Sequence, residues 1–229
     1  MVGNEVNHFQ NDKLSNYNAD LKYTFKANTS SALIISAKID QNNILQDYNP
    51  RSNLYQTIAL FNGANSLFQT ANTKNTVLKF DAQALKKYGK NYFYVNLGTE
   101  YNRTILQSDL FNNQTKNTIS GFFNHNDFNM RKLYLAGKYT YDNKKIIFQS
   151  FIKTSLISQS ALNVDSSFLA IEPDLKLSAK LSTFQNISFR YNYNYTLANA
   201  LDFYGSPILT DLRAINTGCL LYTSDAADE

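Results

Sequence analysis

The chain has 229 residues, long enough to bury a sizeable core, and 22 Lys and Arg against 18 Asp and Glu give a formal net charge of +4, too small to imply a nucleic-acid partner. It holds 16 tyrosines, 16 phenylalanines, no tryptophan and a single cysteine, which excludes disulfides and multi-cysteine metal sites within the chain. A mean hydropathy of -0.38 and the lack of any run near the ~20 apolar residues of a spanning helix exclude a helical membrane protein, whereas a barrel tolerates that average because alternate residues face water.

Met1 opens directly into polar sequence without the apolar core of a secretory signal, and the stretch to Asn16 is irregular. The first clean alternation sets Ala19, Leu21, Tyr23 and Phe25 against Asp20, Lys22, Thr24 and Lys26. Successive strand residues point to opposite faces, so this pattern predicts a strand with one apolar and one polar side. Asn28-Thr29-Ser30 predicts a tight turn into a second limb carrying Leu33, Ile35, Ala37 and Ile39 opposite Ser36, Lys38 and Asp40. A long Asn- and Gln-rich connection is expected from Gln41 to about Asn75, and within it Tyr55 to Phe61 reads equally as a short strand or a helical turn.

The third limb places Leu78, Phe80, Ala82 and Ala84 against Lys79, Asp81 and Gln83, and Tyr88-Gly89-Lys90-Asn91 supplies turn chemistry. The fourth sets Phe93, Val95, Leu97 and Tyr101 against Tyr94, Asn96, Gly98 and Glu100. A second long connection is expected over residues 102–130. Leu133, Leu135, Tyr139 and Tyr141 then face away from Ala136, Lys138 and Thr140. Past the turn at Asp142-Asn143-Lys144, Ile146, Phe148, Ile152 and Leu156 oppose Gln149, Lys153 and Ser155. A third, mostly polar connection is expected over 157–167.

The longest pattern is a hairpin from Leu169 to Leu197. Its first limb separates Leu169, Ile171, Leu175, Leu177, Ala179 and Leu181 from Glu172, Asp174, Lys176, Ser178 and Lys180. The second separates Ile187, Phe189, Tyr191, Tyr193, Tyr195 and Leu197 from Ser188, Arg190, Asn192, Asn194 and Thr196. Such limbs exceed the ordinary strand of about 5–6 residues and suit the ~9–11 residues of a tilted strand crossing a bilayer. Connections that alternate short and long, and aromatic rings gathered toward strand ends, suit a membrane barrel with short turns on one side. The expected fold is therefore all-β: a transmembrane antiparallel up-and-down β-barrel, present as an incomplete segment of about eight strands in an open curved meander with two unpartnered edges.

No enzymatic activity, cofactor or metal is expected. The two histidines, His8 and His125, lie in separate polar segments, and Asp127 near His125 does not by itself make a ligand set or a Ser/His or Asp/His pair. The terminal residues 219–229 contain the sole cysteine, Cys219, and end Ser224-Asp225-Ala226-Ala227-Asp228-Glu229, unlike the rest. This eleven-residue tail resembles the in-frame translation of a sequencing adapter. The expected division is thus a partial barrel domain over 1–218 and a non-native tail over 219–229, the frame being a piece of a longer gene.

Tyr191-Asn192-Tyr193-Asn194-Tyr195-Thr196-Leu197, followed by Pro207-Ile208-Leu209-Thr210-Asp211-Leu212-Arg213, resembles the barrel of outer-membrane TonB-dependent receptors of the Bacteroidota type. The resemblance extends over residues 15–218 as pattern and over this last part as motif; no TonB box, plug domain or amino-terminal carboxypeptidase-like domain accompanies it. It implies a large plugged barrel of about 22 strands in the bacterial outer membrane. It further implies a plug domain and TonB as partners, and uptake of a small-molecule, glycan or siderophore nutrient; it transfers no substrate-binding residue. On that footing Lys22, Lys38, Lys79, Asp81, Glu100, Lys138, Lys153, Glu172, Asp174, Lys176 and Arg190 are expected to face the lumen or plug, since charge on the lipid side is costly. Other readings are a non-transport barrel serving as adhesin or assembly scaffold, a membrane enzyme, and a soluble β-sandwich binding module. The last requires a second sheet over Phe189, Tyr191, Tyr193 and Tyr195.

Overall fold

The computed structural model describes residues 7–51, 66–143, 145–161, 164–197, 206, 208–211 and 214–216. Its strands are β1 (Asn7–Asn28), β2 (Ser31–Arg51), β3 (Leu67–Tyr88), β4 (Asn91–Asn112), β5 (Asn124–Asp142), β6 (Ile146–Ala161), β7 (Val164–Lys180), β8 (Asn186–Asn192), β9 (Ile208–Asp211) and β10 (Ala214–Asn216). The first eight form one antiparallel sheet in strict sequence order, and β9 and β10 pair with each other. The large sheet is an open meander: β1 pairs only with β2 and β8 only with β7, so Ala19–Phe25 does not meet Ile187–Asn192.

Asparagine and glycine make the short turns. Asn28 Oδ1 accepts hydrogen bonds from Ser30 N at 2.9 Å and Ser30 Oγ at 3.0 Å, closing the Thr29–Ser30 turn with a side chain in place of a carbonyl. Asn143 Oδ1 does the same for Lys145 N at 3.0 Å and Ile146 N at 2.6 Å. Gly89 has φ +57°, the left-handed region that residues with a Cβ avoid.

Register turns the period-two pattern of each strand into two continuous faces. On one, successive rows across the sheet read Leu21–Ala37–Phe80–Thr99–Leu133–Leu156–Leu169, Tyr23–Ile35–Ala82–Leu97–Leu135–Thr154–Ile171 and Phe25–Leu33–Ala84–Val95–Gly137–Ile152–Pro173. No charged residue interrupts these rows. These three rows form a band that spans five residues along each strand, about half the roughly 9–11 of a membrane-crossing strand, and the rows flanking it carry Lys86 on the short-turn side and Arg131 on the other. Side chains on this face are open: Leu97 is 52% exposed, Leu135 54% and Phe189 62%. Leu175 is half-buried within the sheet surface, and among the described residues no second sheet covers Leu177, Phe189 or Tyr191. Tilted ring pairs, Phe93–Tyr139 at 5.3 Å and Tyr139–Phe148 at 6.2 Å between centroids, edge the band on the short-turn side. Tyr92 and Tyr94 alternate onto the opposite face, so only part of the aromatic cluster at that end belongs to the band.

Three expectations about connections are corrected. The long polar connections over 41–75 and 102–130 are mostly strand: β2 runs to Arg51, β3 starts at Leu67, β4 runs to Asn112 and β5 starts at Asn124. Between β6 and β7 only residues 162 and 163 remain outside the strands. Polar segments pair because their neighbours continue the hydrogen-bond ladder, whatever their hydropathy. The limb expected to reach Leu197 stops at Asn192: Tyr193 N still donates to Pro173 O at 3.0 Å, but the Tyr195 ring lies 5.1 Å from that of Phe168, on the face opposite the apolar band. Tyr55 to Phe61 and the 219–229 tail lie outside the described residues, as do Pro207, Leu212 and Arg213 of the motif, whereas Ile208–Asp211 forms β9.

A Cβ on Gly89 meets no atom within 4 Å but forces a left-handed backbone, whereas Gly137 has open space and no positive φ. Gly89→Ala is expected to destabilise by about 1 kcal/mol, and Gly137→Ala to be neutral or stabilising by up to about 1 kcal/mol, read as denaturation midpoints of the refolded protein.

Candidate functional site: the charged face of the sheet

The residues expected to face a lumen share one face by register, the one opposite the apolar band. Lys22, Ser36, Asp81, Gly98, Tyr134, Ser155 and Ala170 form one row across seven strands. Lys38, Lys79, Glu100 and Lys132 form the next, and Lys153 pairs with Glu172 in register on the other side. Nearer the short turns, Lys138 and Asp174 share a row, as do Lys176 and Arg190. This face is also the shielded one, as in a sheet that curls around it. Every buried strand residue lies on it, from Leu67 at 0% exposure to Asn96 at 8%.

The structure brings some of these charges together. Lys79 Nζ lies 3.6 Å from Asp81 Oδ2, Lys153 Nζ 3.2 Å from Glu172 Oε2, and Lys38 Nζ 3.6 Å from Asp40 Oδ2. Arg190 forms a two-pronged pair with Asp174, Nε to Oδ1 at 3.2 Å and Nη2 to Oδ2 at 2.9 Å. Lys22, Lys138 and Lys176 join no ion pair among the described residues.

The centre of the cluster is a residue the sequence pattern did not single out. Tyr134 is buried at 5% exposure, and its hydroxyl donates to Asp81 Oδ1. The ring reaches that carboxylate by crossing Gly98: a Cβ built there stands 2.5 Å from Tyr134 Cζ and 2.8 Å from Asp81 Oδ1. Only glycine leaves room for a tyrosine to lie flat across the intervening strand. Lys79 Nζ at 5.9 Å and Lys153 Nζ at 5.5 Å from the ring centroid flank it as cation–π partners. Asn96 Nδ2 donates to the same Asp81 oxygen at 3.2 Å. One carboxylate thus ties β3, β4 and β5, and Lys153 extends the tie to β6 and, through Glu172, to β7. A glycine opposite an aromatic residue across a strand pair is visible once register is known, and not before.

Further from the short turns the same face is covered and carries two apolar clusters among buried polar side chains such as Gln69, Ser108 and Asn124. Leu67, Leu110, Ile119 and Phe122 form one buried cluster, with Tyr48 against it. It exists because the β4–β5 loop folds back over the sheet, Ile119 N donating to Leu110 O at 2.8 Å. Phe128, Met130, Ile157, Ala161 and Ala170 form a second cluster, against which Phe168 and Leu197 pack. Asn124, 2% exposed, holds the segment after β8 with both ends of its amide: Nδ2 donates to Ser206 O at 3.0 Å and Oδ1 accepts from Ser206 N at 2.8 Å.

Beyond the apolar band, on its own face, Arg103 grips Asp127, Nε to Oδ1 at 3.0 Å and Nη2 to Oδ2 at 2.5 Å. The Arg103 hydrogen bond and charge hold the Asp127 carboxyl below its ordinary range, against a smaller upward pull from desolvation. His125, expected in a polar connection, stands on β5 and places Nδ1 3.1 Å from Gln107 Nε2, and among the described residues no three His, Cys, Asp or Glu side chains converge as a metal site.

Two predictions follow from these contacts. Tyr134→Phe removes one donor from a buried carboxylate and is expected to cost about 1–3 kcal/mol. Gly98→Ala forces the ring off the strand at a similar cost of about 1–3 kcal/mol, and the two changes combined cost less than their sum because each disrupts the same contact. Denaturation midpoints of the four proteins check this. The Asp127 carboxyl, followed by NMR titration, is expected to titrate below the ordinary value of about 3.9 and to move back up in Arg103→Gln. Its contribution to stability is then present above its unfolded value and is lost as pH falls through the depressed folded one.

Set against family models, curated proteins and solved structures, the chain matches none of them.

Proposed function

We propose that this chain is part of the wall of an outer-membrane β-barrel, with the apolar band in contact with lipid and the charged face lining the lumen. The observation that carries the reading is the exposed band without charge. Seven strands align three successive rows free of charge, while the lysines, aspartates and glutamates at that level of the sheet alternate to the other side. Soluble monomers rarely expose a contiguous apolar patch above a few hundred Å². In a bilayer the arrangement is the required one, because Lys or Arg at the midplane of the lipid side costs about 2–4 kcal/mol. Strands continuing past the band on the side of the longer connections suit barrels whose walls project beyond the membrane.

Within that reading, the finer assignment we favour is a TonB-dependent receptor that takes up a nutrient with a plug domain and TonB as partners. Its support is the tyrosine-rich limb and the Pro207–Arg213 motif, together with an open meander that leaves both margins for further strands. Genomic DNA flanking this frame tests it: an upstream plug and TonB box are expected, and a barrel gene lacking both favours a non-transport adhesin or scaffold.

The absence of tryptophan makes single introduced indoles unambiguous probes. In vesicles of brominated lipid, Leu135→Trp is expected to be quenched strongly and Lys138→Trp weakly; equal quenching sinks the lipid-facing assignment. Leu97→Arg is expected to weaken folding into vesicles by about 2–4 kcal/mol, and Gln83→Arg, on the charged face, by less than about 1 kcal/mol.

A further inference from the structure

At the short-turn end of β1–β4 the sheet carries a depression of about 640 Å³ between the β1–β2 and β3–β4 turns. Lys26, Lys86 and Lys87 line it together with Thr29, Ser30 and Ser31, and no carboxylate does. The imbalance is not local chance in the lining: no Asp or Glu occurs from Leu21 to Ile39 or from Ala82 to Thr99. Among the described residues Lys26, Lys86 and Lys87 join no ion pair, as is also true of Lys22, Lys138 and Lys176, but these three line one depression together.

The feature is also held in shape. Lys87 N donates to Ser30 O at 2.7 Å, fastening the first turn to β3, and Lys87 Nζ rests 5.1 Å from the centroid of the Tyr92 ring. Lys26 and Lys87 alternate onto the charged face and Lys86 onto the apolar one, so the depression is lined from both faces of the sheet's end. Three lysines lining one depression with hydroxyl donors and no competing acid match a compact, multiply charged oxyanion.

We propose that this depression binds a phosphate group, as a phosphate ester or free phosphate, through Lys26, Lys86 and Lys87. The site stands on its own lining and does not require the membrane assignment. Phe93, which also lines it, belongs to the edge of the apolar band. If the band lies in lipid, a phospholipid headgroup would sit here with its chains running along that band, and this choice of source rests on the barrel reading.

The test uses the full chain refolded in maltoside micelles, with far-UV circular dichroism confirming strand content for every variant. Binding of inorganic phosphate and of short-chain phosphatidylglycerol is followed separately by phosphorus NMR. Wild type is expected to bind at least one of them. Lys26→Gln/Lys86→Gln/Lys87→Gln is expected to lose at least about tenfold in affinity, and the corresponding triple Lys→Arg change to retain it. A charge-matched control, Lys13→Gln/Lys74→Gln/Lys145→Gln, should bind as wild type does. Loss confined to phosphatidylglycerol supports the site with a lipid source, and loss that includes inorganic phosphate supports it with a soluble one. Equal weakening in both glutamine triples, or no binding of either probe by folded wild type, overturns the proposal. A protein that folds without detergent or lipid removes the barrel reading while the inorganic phosphate arm still decides the site.

Discussion

The structure depends on antiparallel register acting on a period of two. A strand by itself only alternates; it is the unbroken pairing from β1 to β7 that stacks Leu21, Phe80, Leu133 and Leu169 in one row and Lys22, Asp81 and Tyr134 in another. A slip of one residue anywhere would carry a whole strand's charges to the apolar side. Short turns at Thr29–Ser30 and Gly89–Lys90 leave no slack for such a slip, the first closed by hydrogen bonds to the Asn28 side chain and the second by a left-handed glycine. Register, turn chemistry and the absence of charge in the band are thus one constraint seen at three scales.

The charged face adds a second level of order. Its ionic groups are not a uniform wet lining, because Tyr134 gathers Asp81, Asn96, Lys79 and Lys153 around a single ring laid across Gly98. Ties of this kind run perpendicular to the strands, in the direction that backbone hydrogen bonds already hold. They fix which residue stands opposite which. Away from the short turns the same role passes to apolar contact, with Phe128, Met130 and Ile157 beneath Leu197. Both faces therefore change along the strands: this one gains covered apolar clusters where the other passes from its band to Arg103 and Asp127.

Much of this is legible in the residues alone. Strand direction, the two faces, the four tight turns and the shared side of Lys22, Lys38, Lys79, Asp81, Glu100, Lys138, Lys153, Glu172, Asp174, Lys176 and Arg190 all follow from alternation. Strand length does not, since beyond Ile39 or Tyr101 both faces become polar or mixed and the period-two signal fades while pairing continues. Nor does the Leu67–Leu110–Ile119–Phe122 cluster, whose members come from segments that read as loops. Tyr134 stayed hidden because its tyrosine neighbours in sequence suggested boundary rings. Tyr195 follows the alternation of β8, yet the chain leaves the sheet before it, drawn to Phe168 on the other face.

The inward departure after Asn192 makes the two margins of the sheet unequal. β1 offers an edge 22 residues long, with its outward-pointing backbone groups unshared, and β8 one of only 7. Joining one margin to the other would leave most of β1 as an open template for a foreign chain. Prepared alone, this polypeptide should therefore behave as a seed for lateral, edge-on self-association, and solubility would improve on adding a strand that zips along residues 7–28.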